Sequence, residues 1–263
     1  MTSPPAISLR GVRKSFDGGK TFAVDDVSFD VAAGEFLAII GGSGSGKTTT
    51  LRMINRLIEP DAGEVLIEGK SVFETPAHEL RRHMGYVIQG VGLFPHLTIA
   101  ENIAVTPKLL NWPREEIDAR VLELLDLVEL PAAEYATRLP AALSGGQRQR
   151  IGVARALAAK PHIVLMDEPF GALDPLTRDT LTEAYRKLHD RLGVTSVMIT
   201  HDIQEALLLA DRLAVMADGK LLALGTPQEL AQGEAAPSVQ ALLDMPRRQA
   251  RQVRERLADR ADG

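Results

Sequence analysis

Residues 35–58, EFLAIIGGSGSGKTTTLRMINRLI, constrain the fold more than any other stretch. Phe36 to Ile40 form an unbroken apolar run, the pattern of a strand buried on both faces. The run ends in glycine. After Lys47, residues Leu51, Ile54, Leu57 and Ile58 recur at helical spacing, so a helix is predicted over 47–58. A strand that turns through GGSGSGKT (41–48) into a helix matches G-x-x-x-x-G-K-[ST], a loop whose backbone N–H groups surround a phosphate chain. Gly41, Gly44 and Gly46 let the backbone curl where a side chain would block the approach. The N–H groups of about residues 44–48 then point inward, reinforced by the helix N-terminus. Lys47 supplies a positive charge to the β- and γ-phosphates, and the Thr48 hydroxyl can ligate Mg²⁺.

A matching acidic element lies downstream. HIVLMDEP (162–169) reads as a buried strand ending in two carboxylates. Asp167 can reach a Mg²⁺ shell through water. Glu168 is the candidate base that polarises the attacking water. Adjacent strand residues point to opposite faces, so the chain must bend at the strand end for both acids to serve one site. Gln89 and His201 close two further strand-like runs, MGYVIQ and SVMIT. Each could place a polar group near the γ-phosphate, and each could equally be an ordinary surface residue. The six histidines show no metal-ligand spacing, which argues against a zinc site.

LSGGQRQR (143–150) is a second device of the same kind. Ser144 before two glycines reads as the N-cap of a helix over 144–159, opening onto anion-binding N–H groups. Elsewhere ISLRGVRKSF (7–16) and AVDDVSFDV (23–31) read as antiparallel strands about the turn FDGGK. A short strand lies within 59–70. Residues 97–130 read as a helical lobe, with Ile117, Val121, Leu124, Leu125 and Val128 on one face. A strand over 193–202 leads to a helix ending near 210, and Asp218-Gly219 turns a hairpin over 212–225. The absence of cysteine excludes disulfides and thiolate metal sites. A net charge of −5 argues against general nucleic-acid binding. The N-terminus lacks a signal-peptide core, and no apolar run is long enough to span a bilayer, so the expected place is the cytoplasm, docked on a membrane protein if on anything. The Arg-rich stretch near the C-terminus, from Arg247 to Arg260, reads as a solvated helix or as a membrane-surface or regulatory contact.

The loop at 41–48, Gln89, LSGGQRQR, IVLMDEP, ALD (172–174) and His201, in that order, resemble the ATP-binding subunits of ABC transporters. The resemblance spans about residues 7–232. It implies an α/β fold: a P-loop NTPase core with an antiparallel β subdomain and an inserted α-helical subdomain at about 90–160, with a basic helical tail over 233–263 after a nucleotide domain over 1–232. It implies ATP and Mg²⁺. Nucleotide contacts fall on Phe16, Gly41, Gly42, Ser43, Gly44, Ser45, Gly46, Lys47, Thr48 and Thr49. Phe16 stands where an aromatic stacks on adenine, and as a residue alone it could also be core. Metal contacts fall on Thr48, Gln89 and Asp167, and catalytic roles on Glu168, His201 and Gln89. In this family two subunits pair head to tail, so Ser144, Gly145, Gly146 and Gln147 complete the site of a second copy, and Asp174 lies at the dimer interface. Implied partners are that second copy, integral-membrane permease subunits and, indirectly, a solute-binding protein, with no nucleic acid. The implied location is peripheral, on the inner face of the cell membrane. Residues 90–102 fall where a permease helix docks. Phe94 and Leu97 would line that groove or else be buried in the lobe.

Within the family, TTTLRMINRLIEPDAGEVLIEGK (48–70), HELRRHMGYVIQGVGLFPHLTIAENIA (78–104) and PKLLNW (107–112) resemble the ATPase of quaternary-amine importers for glycine betaine or choline. The competing readings are an importer ATPase for another solute, such as an amino acid or sulfonate, and a soluble ABC ATPase without a transport role. Some relatives carry paired regulatory CBS modules after the nucleotide domain, and the expectation for these 263 residues is that they hold none.

Overall fold

The computed structural model describes residues 4–254 apart from positions 91, 172, 233–235, 247, 249, 250 and 253. Val91 of the 90–102 segment, Ala172 of ALD, and Arg247, Arg256 and Arg260 of the basic stretch therefore lie outside the described residues.

In chain order the elements are β1 (Ile7–Lys14), β2 (Val24–Val31), β3 (Phe36–Ile40), α1 (Lys47–Ile54), β4 (Ala62–Ile67), β5 (Lys70–Ser71), α2 (Ala77–Arg82), β6 (Met84–Val87), α3 (Ile99–Leu109), α4 (Arg114–Leu127), α5 (Ala132–Tyr135), α6 (Gly145–Leu157), β7 (Ile163–Asp167), α7 (Pro175–Leu192), β8 (Thr195–Ile199), α8 (Ile203–Leu209), β9 (Arg212–Ala217), β10 (Lys220–Gly225), α9 (Pro227–Gln232) and α10 (Pro237–Leu243). They build two sheets. One is antiparallel, ordered β2-β1-β4-β5. The other is ordered β10-β9-β3-β8-β7-β6 and is parallel except for the β9–β10 hairpin.

The parallel sheet is buried on both faces, as its apolar runs require. Along β3, Leu37 and Ile39 pack toward α1 and the antiparallel sheet, with Leu51, Met53 and Ile54 of α1. Phe36, Ala38 and Ile40 pack toward the helices, with Ile103, Leu124, Ile151 and Tyr185. This is strand alternation sorting one apolar run into two cores. Val239 and Leu243 of α10 join the helical-side core. Among the described residues no helix is long and apolar enough to cross a membrane.

Two local outcomes differ from the sequence expectation. The helix expected over 47–58 ends at Ile54, because Arg56 takes a left-handed conformation with φ 53°. The N–H of Arg56 bonds to the Met53 carbonyl and that of Leu57 to the Arg52 carbonyl, a Schellman closure made with arginine instead of glycine. Leu57 is left exposed instead of on the buried face. Secondly, α7 is the longest helix among the described residues, and the sequence pattern does not announce it. Its ends are nonetheless written in the sequence. Asp174 caps it, Pro175 starts it, and Gly193 closes it at φ 61°.

Candidate functional site

The register sets the site. Asp167 of β7 lies beside Ile199 of β8, and Ile199 lies beside Ile39 of β3. The C-terminal ends of these strands are level, and the residues that follow them meet along one edge of the sheet. That edge is where open α/β sheets take ligands.

After β3 the chain enters the glycine loop. At Gly41 an added Cβ would stand 2.1 Å from the Met216 carbonyl oxygen, and at Gly46 it would stand 2.3 Å from that of Ala23. Only glycine fits these two positions, and Gly46 also needs φ 95° as the N-cap of α1. No side chain caps this helix. Its first backbone bond runs from the Thr50 N–H to the Gly46 carbonyl, so the N–H groups of the first turn stay available to an anion. The Lys47 ammonium folds onto the loop, donating to the Gly41 and Gly42 carbonyls at 2.9 and 2.7 Å and to the Ser45 hydroxyl at 3.3 Å. Burial draws its pKa down, while Glu168 and Asp167 push it back up.

Asp167 is buried, and its Oδ1 accepts a bond from the Thr48 hydroxyl at 3.3 Å. Its Oδ2 has no hydrogen-bond partner, and the nearest cation is the Arg52 guanidinium at 3.7 Å. Burial raises the Asp167 pKa, against the opposing charge of Arg52 and the Thr48 bond. A buried carboxylate oxygen without a donor, beside a hydroxyl, suits a hard cation with oxygen ligands. Among the described residues no group of three or more His, Cys, Asp or Glu side chains could hold a metal ion. A cation at this point therefore has to share its shell with ligand oxygens or water, as Mg²⁺ does.

The bend anticipated after Asp167 is present. Glu168 has φ 50°, and its N–H is tied to the Ile199 carbonyl at 3.0 Å. The turn swings the Glu168 carboxylate to the same edge as Asp167. There it stands between two side chains: the Gln89 amide donates to it at 3.1 Å, and His201 Nδ1 lies 3.5 Å from it. Gln89 follows β6 and His201 follows β8, so three neighbouring strand ends supply the cluster. Both side chains are exposed, as the surface reading expects, and both also lie beside the Glu168 carboxylate. Beneath His201, the Thr200 hydroxyl donates to Glu205, a buried acid whose pKa desolvation raises to about 7.

The remaining expected residues stand apart from this cluster. Phe16 is 66% exposed, which removes the core alternative. Ser144 caps α6 as expected and forms a capping box: its hydroxyl accepts the Gln147 N–H, and the Gln147 side chain accepts the Ser144 N–H. Among the described residues no hydrogen bond or ion pair joins 144–147 to the glycine loop; Gln147 bonds instead to the Tyr135 hydroxyl at 3.1 Å. Asp174 caps α7 through the Thr177 N–H. Phe94 is exposed and Leu97 half-buried. Sequence reasoning missed Asn102, which is wholly buried and bonds to the backbone of Phe94, Leu97 and Thr98, shaping that segment. Its only trace in the sequence is a polar residue on the apolar side of a helix.

The family model described as ABC transporter matches residues 24–171. The chain is 53% identical over 229 residues to the glycine betaine/carnitine/choline transport ATP-binding protein OpuCA of Bacillus subtilis, covering 87% of this chain and 60% of that protein. It is 50% identical to the glycine betaine uptake system ATP-binding protein YehX of Escherichia coli, covering 84% of this chain and 71% of that one. It is 46% identical to the sulfate/thiosulfate import ATP-binding protein CysA of Bacillus cereus, covering 89% of this chain and 65% of that one. This chain spans roughly three-fifths of the length of the first of these relatives, 60%. Among solved structures, the ATP-binding cassette MJ0796, a dimer in a post-hydrolysis state bound to ADP and Pi, superposes with a TM-score of 0.75 at 35% identity, covering 84% of this chain and 98% of that one.

Proposed function

The chain belongs to the ABC transporter family, and on that premise we propose that it is the ATP-hydrolysing subunit of an importer for glycine betaine, choline or a related quaternary amine. The observation that carries the enzymatic part is the Glu168 carboxylate, held between Gln89 and His201 beside the Thr48–Asp167 pair. The glycine loop and Lys47 bind the phosphate chain, and exposed Phe16 stacks on the base. Thr48 and Asp167, with Gln89, would hold Mg²⁺. When bound, that ion neutralises phosphate charge during transfer. Glu168 orients the attacking water and accepts its proton, Gln89 fixes the Glu168 carboxylate, and His201 contacts the γ-phosphate. The solute class rests on the resemblance and on the transport roles named for the relatives of the quaternary-amine systems.

Residues 1–232 act as the nucleotide-binding domain in this reading, with a basic tail after it. Two copies close on ATP, each offering Ser144, Gly145, Gly146 and Gln147 to the other's glycine loop. Segment 90–102 meets a permease at the inner face of the membrane, so that closure moves the membrane partner. The test is reconstitution in vesicles with the cognate permease and binding protein. ATP-dependent uptake of labelled glycine betaine or choline is expected, without uptake of sulfate or an amino acid. Uptake of either of those alone would overturn the solute class, and failure to hydrolyse ATP would overturn the enzymatic reading.

A further inference from the structure

Arg178 is a cation in the first turn of α7, where the helix dipole disfavours positive charge. Two bonds that leave the helix hold it there. One Nη donates to the Leu173 carbonyl at 3.1 Å, and the other donates to the Asp202 carboxylate at 3.2 Å. The two acceptors lie at telling places. Leu173 directly precedes Asp174, the cap of α7, and Asp202 directly follows His201.

Neither acceptor is free to follow a loose arginine. Leu173 is buried, and its N–H is bonded to the carbonyl of Phe170, itself wholly buried. Gly146 of α6 lies so close to Leu173 that an added Cβ would stand 3.1 Å from Leu173 Cδ2. The second oxygen of Asp202 caps α8 by accepting the Gln204 and Glu205 N–H groups, and the Asp202 N–H donates to the Thr200 hydroxyl. The planar guanidinium thus joins two segments that are each fixed at their other side. Its fork of donors spans both acceptors at once, which a lysine ammonium on a flexible stem does not do.

We propose that Arg178 is a positioning residue that ties the Asp174 segment to the Asp202–His201 segment and thereby holds His201 against Glu168. The inference rests on the ATPase reading of the Glu168 cluster. A shift of residues 173–174, or of the N-terminus of α6 against Leu173, reaches His201 through one rigid side chain.

The test is steady-state ATP hydrolysis with Mg²⁺ by the full chain, alongside thermal denaturation of each variant. Arg178→Ala is expected to lower kcat about tenfold with KM for ATP within about twofold. Arg178→Lys is expected to fall as far, because the charge survives but the fork does not. Asp202→Asn keeps an α8 cap and loses the ion pair, so it shows the same loss and carries the test if Arg178→Ala fails to fold. In a His201→Ala background, Arg178→Ala is expected to change kcat by less than about twofold, since its effect runs through His201. An undiminished loss in that background would overturn the inference, as would recovery of full activity by lysine, while leaving the ATPase reading intact. A wild-type chain that hydrolyses no ATP would overturn the ATPase reading, and this inference with it.

Discussion

The chain has two glycine-rich helix starts, at α1 and at α6, and they are built to opposite specifications. The start of α1 is incomplete by itself. Gly46 is left-handed, no side chain caps the first turn, and Lys47 lies back on the loop carbonyls. The start of α6 is partly closed. Ser144 and Gln147 satisfy each other's backbone N–H groups and leave those of Gly145 and Gly146. An uncapped start wrapped tightly by glycines needs an anion to finish it. A self-capped start keeps its shape with or without one and presents a preformed surface. In the proposed dimer the first is a binding loop and the second a docking face for the other copy.

The largest effect is expected beside the first start. Glu168→Gln removes the base and leaves the loop intact. Turnover should fall by about 10²–10⁴ in steady-state hydrolysis, with equilibrium ATP binding near wild type. Near-normal turnover would remove Glu168 from its role. Next in size, Lys47→Ala should weaken ATP binding by roughly tenfold to a hundredfold in calorimetry, through loss of a charge-assisted contact. The same assay on Ser144→Arg should show monomer binding almost unchanged, because the proposed dimer gives α6 to the other copy's site. A third helix start extends the series to stability. Asp202 caps α8 over Glu205, whose pKa burial lifts from 4.5 to about 7. An acid raised on folding is neutral in the native state, so its favourable contribution is complete below about pH 4.5 and is lost as pH rises through about 7. Glu205→Gln should therefore be more stable than wild type by about 3 kcal/mol at pH 8, and nearly equal to it near pH 4.5, in urea titrations. The smallest effect is that of the α6 cap itself. Ser144→Ala should cost about 1 kcal/mol in the same titrations.

What the sequence made legible was local. The strand–loop–helix corner at 36–54, the α6 cap at Ser144 and the Asp218-Gly219 hairpin are each set by residues a few positions apart. Even the bend at Glu168 followed from strand alternation, as a condition that two adjacent acids must meet to share a site. What escaped depends on distant partners. Arg178 gains its meaning from Asp202, 24 residues away, and from a carbonyl in its own cap region. Arg56 ends α1 in a conformation usually left to glycine, while its side chain bonds to the carbonyls of Val72 and Thr75. Helix α7 escaped for another reason: its Asp-Pro start and Gly stop flank a stretch whose buried residues, Leu181, Tyr185 and Leu188, are few among many charges.

In the proposed dimer the α6 start of each copy serves the glycine loop of the other. Light scattering on the Glu168→Gln chain, with ATP and Mg²⁺ and without them, tests it most directly. A mass that doubles with ATP is expected, as is a Glu168→Gln/Ser144→Arg chain that binds ATP yet keeps the monomer mass. A single-copy mass with ATP bound, or a Ser144→Arg chain that doubles as readily, would contradict it.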